Sequence, residues 1–182
     1  MTLILRSATP ADVAALDALI AASARVLGRG FYTEAETEAA ITHVFGVDSA
    51  LVADGSYLVA GFDDAPDGAF AGCGGWSARR TLFGGDNFAA RADDALDPAT
   101  DAARIRAFFV AAATARRGVA TALLTACEAA ARAAGFTATT LMATLPGVPF
   151  YTAHGYRPVA DTVHDCGGIA VRFVAMDKRL IG

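Results

Sequence analysis

The stretch Phe108 to Phe136, FFVAAATARRGVATALLTACEAAARAAGF, decides how this chain is read. Its centre, Ala115-Arg116-Arg117-Gly118-Val119-Ala120, is a small basic turn. Before it lies an apolar run from Ile105 to Val110, interrupted by Arg106, which reads as a strand. After it, Val119, Leu123, Cys127, Ala130 and Ala134 recur at helical spacing, with Thr121, Thr125, Glu128 and Arg132 on the opposite stripe. Glu128 and Arg132 stand four apart in the favourable order, and Gly135 sits where a helix closes. A strand that turns through glycine into a helix leaves several backbone N–H groups unpaired at the helix start. Those donors, the positive end of the helix dipole and two arginines suit a phosphate.

The turn resembles that of the GCN5-related N-acetyltransferase superfamily, in which Arg/Gln-x-x-Gly-x-Gly/Ala joins the fourth strand to the third helix. Ala115 departs from the first position of that pattern, and Arg116 and Arg117 supply charge beside it. Phe150-Tyr151-Thr152-Ala153-His154-Gly155-Tyr156 resembles the family's late aromatic segment, and Arg6 to Asp12 its usual opening. The matches come in the family's order and span nearly the whole chain. The resemblance implies an α/β (α+β) fold with a mixed, mostly antiparallel sheet of six or seven strands and helices on both faces. It implies acetyl-CoA as co-substrate, with transfer of the acetyl group to a primary amine by direct attack. Arg116, Arg117, Gly118, Val119, Ala120 and Thr121 are then the pyrophosphate contacts. The backbone of Phe108, Phe109 and Val110 is the strand that pairs with the pantetheine arm. Tyr151 is the catalytic residue, protonating the departing thiolate; a phenol of pKa about 10 serves a thiol of about 8.5 only at close range. Its other reading is an aromatic packed at a helix start.

Size and composition bound the rest. At 182 residues, the chain is expected to form one domain, 1–182. A hydrophobic content of 54% and a mean hydropathy of +0.40 owe much to alanine. The longest stretch free of Asp, Glu, Lys and Arg, Ala133 to Tyr156, contains Gly135, Pro146, Gly147 and Pro149 and makes no spanning helix. No signal-like segment opens the chain, so a cytoplasmic protein without a membrane partner is expected. A net charge of −4 with no long basic run argues against nucleic acid. Cys73, Cys127 and Cys166, like His43, His154 and His164, are scattered, so no metal is expected and the thiols read as reduced.

In chain order, Leu3 to Arg6 is a strand, and Thr9, Pro10 and Asp12 open a helix running to about Ala24. Thr33 caps a second helix carrying Glu34, Glu36 and Glu38 and continuing to Phe45. Ser56 to Phe62 and Ala69 to Ser77 form a hairpin around the turn Asp63 to Gly68. Ala78 to Thr100 reads as a long loop with room for a short helical piece. Thr139 to Thr144 is a strand and Val148 to His154 a short helix. Arg157 to Val159 and Ile169 to Met176 are strands, with Val163 to Gly168 turning between them.

No general base stands out. The fourth strand of the resembling family often carries a glutamate, but Ala103 to Ala107 offers no carboxylate. Asp93, Asp94, Asp97 and Asp101 read as loop acids, His154 as structural, and Trp76 as either an acceptor-pocket wall or core. Leu145 to Pro149 departs from the asparagine-containing stretch of many relatives. The acceptor is a small-molecule or peptide amine, and a homodimer is among the outcomes left open. An alternative is a non-catalytic acyl-CoA-binding regulatory module on the same fold. A dinucleotide-binding protein fits less well, because no repeated strand–helix pattern follows the turn.

Overall fold

Side chains of successive strand residues point to two helical layers in the computed structural model, which describes residues 1–66, 69–92 and 94–180. The strands are β1 (Leu3–Ser7), β2 (Tyr57–Phe62), β3 (Gly72–Ser77), β4 (Ala103–Val110), β5 (Ala138–Thr144), β6 (Arg157–Cys166) and β7 (Ile169–Arg179). They make one sheet in the order β1-β2-β3-β4-β5-β7-β6. Every neighbouring pair is antiparallel except β4 and β5, which run parallel. The helices are α1 (Val13–Leu27), α2 (Glu34–His43), α3 (Ser49–Ala53), α4 (Val119–Ala133) and α5 (Val148–Ala153). This is the mixed, mostly antiparallel α/β sheet that the resemblance implies, with seven strands.

The alternation is visible on β2. Tyr57 and Val59 pack with Leu16 and Ile20 of α1, while Ala60 and Leu58 pack with Val119 and Leu123 of α4. On β5, Leu141 and Ala143 join Leu124 and Cys127 of α4, while Met142 packs on the cluster containing Ala39 and Ala40 of α2. Helices therefore cover both faces. Fully buried leucines such as Leu123 and Leu124 each contribute about 1.5–3 kcal/mol of apolar burial.

Local chemistry explains the boundaries. Thr9 and Asp12 form a capping box around the 3-10 turn Pro10–Asp12, and Thr33 and Glu36 form one at the start of α2. At the end of α4, Gly135 has φ +92°, its N–H donates to the Arg132 carbonyl and the Phe136 N–H donates to the Ala131 carbonyl. That pair of bonds is the Schellman closure.

Three expectations are corrected. Glu128 does not lie on a solvent stripe paired with Arg132. It is buried, accepting from the Tyr156 hydroxyl at 3.0 Å and from Lys178 at 2.8 Å, because the sheet brings a cation of β7 beneath α4. The turn expected from Val163 to Gly168 is only Gly167-Gly168, and the residues before it extend β6 along the sheet edge. The 78–100 loop holds no helix among its described residues; Arg79 bridges to Ala95 instead. Asp67, Gly68 and Asp93 lie outside the described residues, as does the end of the chain after Leu180.

The sequence also gave no hint of α3 and the charge cluster around it. Asp48 caps α3 by accepting the Ala50 N–H at 2.9 Å. Its other contacts are Arg106 of β4 at 2.7 Å and Arg91 of the long loop at 2.8 Å. Arg106 also donates to the carbonyls of Gly84 at 2.6 Å and Thr81 at 3.1 Å, and Arg91 to that of Gly85 at 3.1 Å. Burial alone would raise the Asp48 carboxyl; Arg91 and Arg106 overcome it and hold the group below its ordinary value. A lowered folded-state pKa stabilises the fold above the unfolded value and loses that contribution as pH falls through the folded one. Asp48→Asn leaves the buried Arg106 guanidinium without its carboxylate and is expected to cost about 3–5 kcal/mol in urea unfolding. Stability of the variant should depend less on pH below about 4. A midpoint equal to that of the parent would mean the cluster adds nothing to stability.

Candidate active site

Two pairs, Ala103 with Thr139 and Arg104 with Thr140, are all that join β4 to β5. Past them the strands part, and the cause lies on the other edge of β4. Cys73 of β3 faces Phe109 and Gly75 faces Arg106, so Gly74 alone stands against Ala107 and Phe108. Two residues against one is a β-bulge, which bends the strand. Ala107 accordingly has φ 52°, in the left-handed region. Gly74 is required here, since a Cβ at that position would come within 2.5 Å of the Phe108 ring. The hydroxyl of buried Tyr57 donates to the Ala107 carbonyl at 3.0 Å and holds the bulge in place. Burial, with a smaller contribution from Cys73, pushes this phenol well up, so it stays a donor.

A cavity of about 620 Å³ fills the gap. One end is lined by Phe108, Phe109 and Val110 and by the turn from Ala115 to Thr121. Gly118 caps α4 with φ +82°, and a Cβ there would meet no atom within 4 Å. The Ala122 N–H is the first to bond within the helix, reaching the Gly118 carbonyl at 2.9 Å. The N–H groups of Val119, Ala120 and Thr121 therefore have no helical acceptor and point out of the helix start. Arg116 lines the cavity. Arg117 does not: its guanidinium lies 4.2 Å over the Phe62 ring and contacts the Met1 sulfur.

The Thr121 hydroxyl is 3.1 Å from Nε2 of His154, whose Nδ1 is 2.8 Å from the Phe150 carbonyl. A carbonyl only accepts, so Nδ1 carries the proton and Nε2 accepts from Thr121. His154 thus ties α5 to the first turn of α4, away from acid–base duty.

Tyr151 also lines the cavity. Its ring packs 5.1 Å from Phe150 and 5.6 Å from Tyr156, centroid to centroid. Its hydroxyl has no hydrogen-bond partner among the described residues. Burial, then the neighbouring Cys127, pushes the phenol up from its ordinary value. Cys127 is itself pushed up to about 12 by burial and is an inert thiol.

Among the described residues lining the cavity, Arg116 is the one charged side chain. The helix-start and loop acids stand elsewhere. Glu36 caps α2 through Thr33, Glu38 pairs with Arg25 at 2.6 Å, and Asp101 accepts the Asp97 N–H at 2.9 Å. Trp76 packs against Phe136 in the core and lines no part of the cavity. No group of three or more His, Cys, Asp or Glu suited to a metal occurs among the described residues. Nor is any helix there long and apolar enough to cross a membrane.

What sequence reasoning missed is the far wall, built from Tyr32, Phe45, Phe83, Met142 and Phe173. Phe45, expected at the end of the second helix, instead follows the Val44 cap of α2. Tyr32, Phe45 and Phe83 lie in connections near Gly30, Gly46 and Gly84. That combination is the signal that was available.

The family model of the GNAT acetyltransferase domain matches residues 90–180. The chain belongs to this family. The match holds β4, the turn, α4 and Tyr151, whereas Tyr32, Phe45 and Phe83 lie before it. Solved structures agree in fold over the full length. A GCN5-related N-acetyltransferase from Rhodopseudomonas palustris is 23% identical at TM-score 0.72, covering 99% of this chain and 97% of that one. PaiA N-acetyltransferase from Thermoplasma acidophilum, solved with coenzyme A, is 15% identical at TM-score 0.61, with 98% and 99% covered. YncA from Salmonella typhimurium, solved with its cofactor acetyl-CoA, is 14% identical at TM-score 0.62, with 100% and 96% covered. No curated protein matches the chain.

An anionic ligand seated on the GNAT turn would meet Arg116, while Arg117 is engaged by Phe62. Arg116→Ala is therefore expected to weaken CoA about tenfold, or 1.4 kcal/mol, at low salt and less at high salt. Arg117→Ala should change it little. Calorimetric titration of both variants is the check, and equal losses would show that Arg117 leaves Phe62 to bind the ligand.

Proposed function

We propose that the protein transfers an acetyl group from acetyl-CoA to a primary amine by direct attack, with residues 1–182 acting as one domain. The observation that carries this reading is the unpartnered Tyr151 hydroxyl, facing a cavity whose other end is an open helix start. The backbone N–H groups of Gly118 to Thr121 and the Arg116 guanidinium suit the pyrophosphate. The β4 backbone from Phe108 to Val110, without a β5 partner, suits the pantetheine amides as an added strand would. The open space over Gly118 leaves room for this approach.

Acetyl-CoA supplies an activated acyl carbon. An N–C bond forms as the C–S bond breaks, the amine loses a proton and the leaving thiolate gains one. Tyr151 acts on the second of these. Full proton transfer from a phenol of ordinary pKa to a thiolate near 8.5 is uphill by about 2 kcal/mol, and burial adds to that. Tyr151 therefore donates a hydrogen bond to the developing sulfur charge, and the amine's proton completes the transfer. The cavity takes the place of a base by a different route. An ammonium entering an apolar site with no carboxylate is disfavoured, so the neutral amine, which has the lone pair, is what binds.

Tyr151→Phe keeps the packing and removes the donor. Single-turnover transfer should slow by about ten- to ten-thousandfold, with CoA affinity unchanged. In the parent, kcat/KM should rise about tenfold per pH unit below the amine's own pKa. Full activity in the variant removes Tyr151 from the chemistry. An inflection that stays put when the amine's pKa is changed reveals an enzyme base. A protein that binds acetyl-CoA but releases no thiol with any amine is a binding module instead.

A further inference from the structure

Resting on that reading, we propose that the acceptor is a primary amine carried on an apolar, aryl-sized body. The far wall is built around Phe173 of β7. Its ring meets Phe83 at 5.7 Å, Phe45 at 6.1 Å and Tyr32 at 6.5 Å, with tilted or edge-on geometry. Phe45 continues to Phe109 of β4 at 5.3 Å, so aromatic surface runs unbroken from β7 to the bulged strand. Met142 and Val44 complete the lining at this end. An aromatic body finds edge-to-face partners on such a wall, and an apolar one displaces water that the wall binds poorly.

Most polar groups lining this end of the cavity are already used by the protein. The Tyr32 hydroxyl donates to the Arg172 carbonyl at 2.6 Å, and Thr37 to the Thr33 carbonyl at 3.0 Å. Ser23 donates to the Val110 carbonyl at 2.8 Å. The Gly84 and Gly85 carbonyls accept from Arg106 and Arg91, which lie behind the wall. Among the described lining side chains, Arg116, Thr144 and Tyr151 have no hydrogen-bond partner; Arg116 belongs to the helix-start end, and the Thr144 hydroxyl, on the residue cross-strand from Phe173, is the polar side-chain group left open beside the wall. A polyamine would bring a second ammonium to a surface with no carboxylate. An amino sugar would bring several hydroxyls to a surface that offers them only the Thr144 hydroxyl. Both lose hydration without replacement.

The test is acetyl transfer to 2-phenylethylamine, spermidine and glucosamine, compared by kcat/KM at one concentration of neutral amine. The expected result is a preference for 2-phenylethylamine of about tenfold or more over each of the others. Phe83→Ala should cut kcat/KM for 2-phenylethylamine about tenfold while leaving ethylamine and the KM for acetyl-CoA nearly unchanged. Calorimetry of the same amines on the CoA-loaded protein separates this inference from the reaction itself. If 2-phenylethylamine binds but nothing is acetylated, the acceptor inference stands and the transferase reading falls. If spermidine or glucosamine is acetylated as well or better, the transferase reading stands and this inference is overturned. Neither binding nor turnover of 2-phenylethylamine overturns it too.

Discussion

A hydrogen bond from the Tyr57 hydroxyl to the Ala107 carbonyl, beside a residue that cannot carry a side chain, is the constraint on which the cleft depends. Gly74 lets the Phe108 ring lie against β3, Ala107 takes its left-handed turn, and β4 gains a residue over its neighbour. A strand lengthened on one edge cannot stay in register on the other. β4 therefore leaves β5 after two pairs, and a sheet that would have been continuous acquires an opening lined with strand backbone. The same strand feeds directly into the glycine turn, so the opening and the helix start share one approach. The cavity is thus a product of strand geometry, with side chains only decorating it.

Much of this was legible in the sequence, and the rest was not, for reasons that differ from residue to residue. Gly118 between a strand-like run and a helical period marks a turn whose amides are free, because both flanking signals are local. Arg116 and Arg117 look equivalent in sequence; only Phe62, brought alongside by the sheet, separates them. Glu128 follows a solvent spacing on its helix and is buried because Lys178, fifty residues later, arrives beneath it. β6 was cut short because it lies at the sheet edge with most side chains exposed, which leaves no alternation to read. The aromatic wall was invisible for a further reason. Its members come from two connections, a loop and two strands, and share no period at all.

Arg106 interrupts an apolar strand, and such a break asks for a partner. The partner is Asp48, with Arg91 sharing it. Two cations on one anion in the interior look costly until the carbonyls of Thr81, Gly84 and Gly85 are counted as acceptors. The guanidiniums thereby gather the polar backbone of the long loop to their own side. What the loop presents to the cavity is Phe83. Buried charge and an apolar wall are two faces of one arrangement.

Tyr32 ties the connection between α1 and α2 to the end of the β5–β7 pair, where the chain turns into α5. Its hydroxyl donates to the Arg172 carbonyl of β7 and accepts the Leu145 N–H, at the start of the 3-10 turn that leads into α5. Its ring belongs to the wall, and the segment it holds carries Tyr151. A body seated against that ring would bear on the same post that carries Tyr151. On the proposed function, fit at the wall would be geared to alignment at the sulfur. A poorly fitting molecule would be penalised in how fast it reacts more than in how tightly it is held, and selectivity becomes a matter of rate.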